Sequence, residues 1–403
     1  MKTTCLAFAC LTTFSQALEV HEWGTFTVLS GSAGNQVSWY QPHTYLAALP
    51  AFVGRGIGFK SGPAIVRMET PVIYFYPEKS QKVSVTAAFK HGRITETYPF
   101  SLSLISLAGQ KATWSGTLHP PGDKDALALI PEDSDPDPHE PYSAARNVPA
   151  AWIFRSDLEK HPLKTDEALP PQAEKFIFYR GSGQARLPLA TSLSGDGEIT
   201  MNNTGSEPFV HGVALTVADG KAVWKKMPGI PAYDSKNSAD SVKSLKLAEA
   251  PRPLEEVEGE LAAFWIDRLA ASGLSQDEAS AMVATWRATW FRESGTRILT
   301  IVPRPFVDEI LPLEITPKPS VLERVFVARH EIVSPRKQET LVKLLNTPEE
   351  KLGAAEFAKF EELELGRFSS GAMQIATTIQ TQRMQARFYT LRTRQDLKST
   401  SQR

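Results

Sequence analysis

The run Ala64 to Tyr76 is apolar, β-branched and aromatic, and it is broken only by Arg67, Glu69, Thr70 and Pro71. Such a run reads as a buried strand, so the chain must supply pairing on its edges and cover for its faces. Arg67 and Glu69 stand two residues apart and therefore share one face. Two charges in so apolar a strand need a partner, a ligand or solvent. Pro71 has no amide hydrogen, which marks an edge or a bulge.

More strands surround this run. Thr25 to Leu29 and Gln36 to Tyr40 flank a Gly- and Ser-rich loop, as in a hairpin. In Lys82 to Phe89, residues Val83, Val85, Ala87 and Phe89 face one way. Lys90-His91-Gly92-Arg93 turns the chain into Ile94 to Tyr98. Further strands are expected at Lys175–Tyr179, Arg186–Leu193, Gly197–Asn202, Val210–Val217 and Ala222–Lys226, with Gly-, Asp- and Asn-containing turns between them. This is the rhythm of a sandwich. Pro131 to Pro141 and Leu163 to Pro171 are polar, proline-containing connectors.

The character changes after a polar stretch. Leu254, Val257, Leu261, Trp265 and Leu269 have helical spacing, Gly273 offers a stop, and Ser275 with Glu278 forms a capping-box pattern. Met282, Trp286 and Trp290 then fall on one face, so an αα-hairpin is expected, with its tryptophans in the core. Arg297–Val302, Leu311–Ile315 and Arg324–Ala328 read as strands. Thr347, Pro348 and Glu350 look like the start of a further helix. The tail from Gln380 carries Arg383, Arg387, Arg392, Arg394, Lys398 and Arg403 against Asp396.

The expected fold is therefore mainly β: a β-sandwich-like N-terminal region followed by a C-terminal α+β region containing the αα-hairpin. In outline, 1–17 is a signal peptide and 18–230 the sandwich-like region, either whole or as subdomains of about 18–160 and 172–230. Residues 231–253 form a linker, 254–335 the hairpin plus a β segment, and 336–403 a helical tail. Alternatively, the C-terminal strands complete the N-terminal core and the linker is an excursion.

Lys2, the apolar Thr3–Phe14 and the small-x-small Ser15-Gln16-Ala17 have the order of an export signal. Both cysteines, Cys5 and Cys10, lie inside it. Cleavage after Ala17 gives a mature chain, periplasmic or secreted, with no thiol for catalysis, metal binding or disulfides. Lys and Arg number 44 against 45 Asp and Glu, which argues against a generally basic nucleic-acid binder. No apolar run approaches the roughly 18 residues of a membrane helix.

No familiar catalytic signature is complete. None of the pairs His21-Glu22, His139-Glu140 and His330-Glu331 extends to HExxH, and there is no Walker A loop or GxSxG elbow. Ser334-Pro335-Arg336-Lys337 matches SxxK without its companion motifs and reads as chance. Asp133, Asp135 and Asp137 lack the Gly turn and closing Glu of a Ca²⁺ loop. The most distinctive segment is His21-Glu22-Trp23-Gly24-Thr25-Phe26-Thr27. As a strand it sets His21 and Trp23 on one face and Glu22 on the other.

This segment and Arg67-Met68-Glu69-Thr70-Pro71 resemble an uncharacterised family of exported bacterial proteins. So do Phe178-Tyr179-Arg180-Gly181, Thr285-Trp286-Arg287, Trp290-Phe291, Gly295-Thr296-Arg297 and Arg324-Val325-Phe326-Val327. The similarity runs over roughly residues 20–335. It departs at Ala328, where Gly is expected, and weakens around Tyr142 to Arg146. It implies export and one evolutionary unit, and no activity, fold or cofactor.

Two functional classes follow. One is an envelope module that binds a glycan, peptide or protein partner, with Trp23, Trp39 and Tyr40 as contact residues. The other is an extracytoplasmic hydrolase drawing on His21, Glu22, Arg67 and Glu69, with or without a metal, and with Glu96 close by. The two differ in a geometric consequence: the hydrolase needs His21, Arg67 and Glu69 to converge in a concave pocket.

Overall fold

The computed structural model describes residues 17–40, 54–55, 63–101, 110–124, 142–155 and 172–377. The signal segment up to residue 16, the acidic loop, the second connector and the basic tail lie outside the described residues.

The chain is mainly β, with several helices in its C-terminal region. An eleven-stranded mixed sheet runs in the order Arg252–Pro253, Lys221–Lys226, Gly212–Ala218, Gly295–Ile301, Val321–Ile332, Leu18–Ser30, Val66–Pro77, Ile177–Gly183, Gly92–Tyr98, Gly54–Arg55. The short strand Gln36–Val37 turns back onto Leu29 and Ser30, which gives the expected hairpin. The distinctive first segment is thus a central strand. It pairs in parallel with Val321–Ile332 and antiparallel with Val66–Pro77. From Val20 to Ser30 every residue is buried.

Pro71 sits in the middle of this sheet, and a bulge explains how. Trp23 pairs with Val72 and Thr25 with Glu69, so Thr70 and Pro71 together face the single residue Gly24. The strand on the other side shifts register at the same place, between Phe178 and Gly181. The bulge removes the need for an amide hydrogen at Pro71. It also closes tightly on Gly24, where a Cβ would lie 2.6 Å from the Phe326 ring and 3.1 Å from Pro71 Cα.

One face of the sheet is covered by the helical hairpin, Leu254–Ala271 and Gln276–Arg287. Val257, Leu261, Trp265, Met282, Trp286 and Trp290 pack there against Trp23, Val72, Tyr74, Leu215 and Val325. At roughly 1.5–3 kcal/mol per large apolar side chain, this layer is a major stabilising contact. Gly273 takes φ +114° just past the first helix, and Ser275 with Glu278 closes the capping box of the second. That helix ends in a π turn, Ala288–Arg292.

The opposite face packs against two smaller sheets. One orders Leu313–Thr316, Gln81–Ala88, Lys111–His119, Trp152–Arg155 and Ala173–Glu174; the other, Leu189–Leu193, Glu198–Asn203 and Val242–Lys246. Val83, Val85, Ala87 and Phe89 are buried as their alternation requires.

Three expectations need correction. The stretch 231–253 is no free linker: Val242–Lys246 pairs with Glu198–Asn203, and Arg252 pairs with Ala222. The boundary drawn between 18–230 and 254–335 is crossed by the main sheet, because Gly295–Ile301 and Val321–Ile332 lie between N-terminal strands. The helix expected from Thr347 ends there instead. It spans Pro335–Asn346, Ser334 caps it, and Pro335 stands at its first position. A 3₁₀ turn, Glu349–Lys351, follows Pro348, and the next helix is Ala354–Glu361.

Candidate functional site

The sequence candidates separate onto two faces of the main sheet. Glu22 points to the small-sheet side. Its carboxylate accepts from Tyr179 Oη at 2.5 Å and from Arg324 Nε at 2.5 Å, and Arg324 Nη1 also donates to Asp308 at 2.8 Å. Burial opposes charge on Arg324, but Glu22 and Tyr179 outweigh it and hold the guanidinium above its ordinary range. Glu22 and Arg324 are both sealed from solvent, so this is an internal ion pair.

His21 and Trp23 take the helical side. Trp23 is fully buried against Tyr74. His21 Nδ1 lies 2.8 Å from Glu278 Oε2, and Nε2 lies 2.7 Å from Glu19 Oε1. Tyr76 Oη and Ser275 N donate to the same Glu278 carboxylate at 2.6 and 2.7 Å. Burial alone would discharge the imidazole; Glu278 and Glu19 outweigh it and hold His21 above its ordinary pKa. Burial likewise pushes Glu278 up, but His21, Tyr76 and Ser275 outweigh it and keep the carboxyl below its usual range. With both ring nitrogens engaged, His21 clamps the second hairpin helix to the central strand. It has no nitrogen left for a metal or a substrate proton.

Arg67 and Glu69 share the helical side but lie at its far end. Thr25 is the register partner of Glu69, and four residues separate it from His21, roughly 13 Å along the strand. His21, Arg67 and Glu69 therefore do not converge. Glu69 accepts from Arg367 Nη1 at 2.6 Å and from Thr27 Oγ1 at 3.1 Å. Arg67 lies over the buried Trp39 ring at 4.6 Å and donates to the Trp39 carbonyl at 2.9 Å. Burial lowers the Arg67 pKa to about 10, with Arg367 and Arg180 adding to the effect and Glu69 and Glu96 opposing it. Tyr40 is half-buried and its backbone is held by Ser370.

These residues belong to a row of buried charge that the sequence showed only in part. Thr27 pairs with Arg67 on one side and with Arg329 on the other. Arg329-His330-Glu331 repeats the spacing of Arg67-Met68-Glu69 within an equally apolar strand. That repeat was the available signal. One neighbour runs parallel and the other antiparallel, so Glu69 and Glu331 point to opposite ends of the row. Arg329 Nη2 lies 2.7 Å from Glu331 and its Nη1 2.7 Å from Glu293, which the π turn delivers. Burial opposes charge on Arg329, but Glu293 and Glu331 hold it above its ordinary range. Arg297 Nε lies 3.1 Å from Glu331, and burial lowers its pKa to about 10. Phe368 packs beneath the guanidiniums of Arg329 and Arg367. Arg180 and Glu96 extend the row across two more strands. Local sequence does not join Arg297, Arg329, Glu331, Glu293 and Arg367 into one site, since their meeting depends on strand order.

At the Glu331 end the row opens into a cleft of about 570 Å³ between the strand ends and the C-terminal helices. Glu331, Lys337, Lys359, Glu362, Thr216 and Thr296 are among its lining residues. Burial pulls the Lys337 pKa down. Gly295 sits at φ +142°, where glycine is favoured, and a Cβ there would also push the Glu331 carboxylate out of place. Among the described residues no cluster of three or more His, Cys, Asp or Glu forms a metal-binding set, and no helix is long and apolar enough to cross a membrane.

No family model and no curated protein sequence matches the chain. Among solved structures it is similar to the yeast delta-COP-I mu-homology domain, at 8% identity over 79% of this chain and 98% of that one, with a TM-score of 0.28. The same domain complexed with the Dsl1 WxWxV peptide gives 9% identity, 79% and 96% coverage, and a TM-score of 0.26. Likeness at this level assigns neither a fold family nor a function.

Proposed function

We propose that the chain is an exported binding module that holds a polar peptide segment of a partner protein in the Glu331 cleft. The observation that carries this is the cleft lining. Acids (Glu331, Glu362, Glu364) and bases (Arg336, Lys337, Lys359) alternate with apolar Leu363 and Phe368 around one concavity. Mixed charge beside small apolar patches suits a peptide, whose backbone and side chains need both. Trp23 and Trp39 are fully buried, which removes the aromatic ledge on which a glycan partner would rest. The hydrolase alternative loses its geometric basis, since its four residues do not share a site. Export is supported by the order of the leader features and by the first strand, which begins at Leu18, next to the expected cleavage point.

The test has two parts. Intact mass of the protein recovered from the periplasm or medium should give Leu18 as the first residue; a full-length cytoplasmic product would refute export. A random peptide library panned on the mature chain should yield binders that lose affinity at least tenfold against Thr340→Trp, which fills the cleft. An unchanged affinity would place binding elsewhere.

A further inference from the structure

The end of the charged row away from the cleft carries buried donors with no acceptor. Arg180 is 7% exposed, and neither its Nε nor its Nη1 has a hydrogen-bond partner. The Trp39 indole N–H and the Thr25 hydroxyl are also buried and unbonded, and Arg367 Nε lies 3.8 Å from Glu293, beyond hydrogen-bond reach. The sheet brings these groups together. Thr25 pairs with Glu69, Arg180 lies opposite the adjoining bulge, and Glu96 pairs with Arg180. Arg67 joins the set through Trp39, and Arg367 through Glu69.

The charges point the same way as the donors. Around Glu69 and Glu96 stand three guanidiniums, those of Arg67, Arg180 and Arg367. With Arg297 and Arg329 facing Glu293 and Glu331 at the other end, the described row holds five guanidiniums against four carboxylates, one cation in excess. A water molecule could accept from Arg180 but would leave the row one positive charge in excess, whereas an anion supplies both the acceptor and the charge. Guanidinium is also the group whose planar fork fits two oxygens of one ligand.

We propose that this end of the row is a binding site for an oxyanion, the carboxylate, phosphate or sulfate group of a ligand. Arg180 is its principal donor, Arg67 and Arg367 supply charge, and Thr25 and Trp39 are neutral donors. The site is separate from the cleft and stands whether or not the cleft holds a peptide.

Calorimetric titration of the mature protein with inorganic phosphate, sulfate and acetate, at pH 7 and constant ionic strength, tests this. Thermal melts are run beside it, on wild type, Arg180→Gln and Arg180→Lys. Saturable one-to-one binding of at least one anion to wild type is expected, lost in Arg180→Gln and weakened about tenfold in Arg180→Lys, where the fork is gone but the charge remains. Phosphate or sulfate as the tighter probe assigns a phosphorylated or sulfated ligand; acetate assigns a carboxylate. Sulfate stabilises many proteins by exclusion from their surface, so an equal Tm rise in wild type and Arg180→Gln without saturable binding overturns the proposal. So does the absence of saturable binding to wild type, a result that does not depend on either variant folding.

Discussion

Replacing His21 with Gln should destabilise the protein by an amount that shrinks as pH rises. The imidazole lies between Glu278, which is sealed from solvent, and Glu19, which is half exposed. Tyr76 packs edge-on at 5.3 Å, and Tyr74 and Glu323 are its register partners on the two flanking strands. Because the folded pKa is raised, the charged clamp contributes fully below the unfolded value near 6.5, and its contribution is lost as pH climbs through the folded pKa. At pH 6 the substitution leaves a buried carboxylate without its cation, a loss of about 3–5 kcal/mol. Above the folded pKa only a neutral hydrogen bond is removed, worth about 1 kcal/mol. For a chain of this size, about 1–2 °C of Tm corresponds to each kcal/mol. The Tm gap between wild type and His21→Gln should therefore narrow from roughly 3–10 °C at pH 6 to about 1–2 °C once pH exceeds the folded pKa. Thermal melts at constant ionic strength across that range measure it. A gap that stays flat would mean His21 is neutral in the folded protein, and the clamp argument would fall.

Glu69→Gln should cost about 3–5 kcal/mol in urea unfolding, because among the described residues Arg367 then keeps only Glu293, at 3.8 Å, as an anionic neighbour; a neutral result would show that the row tolerates an unpaired cation. Gly24→Ala should cost about 1–3 kcal/mol by driving a methyl group into the Phe326 ring and the Pro71 backbone, and an unchanged unfolding midpoint would contradict the close approach at the bulge.

Local pattern carried much of the fold. Alternation found Gln81–Ala88, and helical spacing with Gly273 and the Ser275 cap found the hairpin. What it could not carry was strand order. Nothing near His21 says that its strand will lie beside Val321–Ile332, and the partner that engages Glu69 comes from Arg367 on a distant turn. The same limit explains the site: Arg67 and Glu69 were visible as charges out of place, while the arginines and glutamates that complete the row lie on other elements. Ser334-Pro335-Arg336-Lys337 shows how one string can mislead twice. It has the letters of a catalytic motif, yet what Ser334 and Pro335 do is start a helix that apolar spacing alone did not announce.

The parallel ladder between Leu18–Ser30 and Val321–Ile332 also sets a timetable. The strand made first can pair early with Val66–Pro77, but its other neighbour cannot arrive until residues 321–332 have been synthesised, so the sheet cannot close progressively from the amino end. Loops this long make closure slow, and until then the apolar edge of the first strand is open to wrong pairing. A cell that makes this protein must keep the early part of the chain apart from itself and from its copies until the late part arrives.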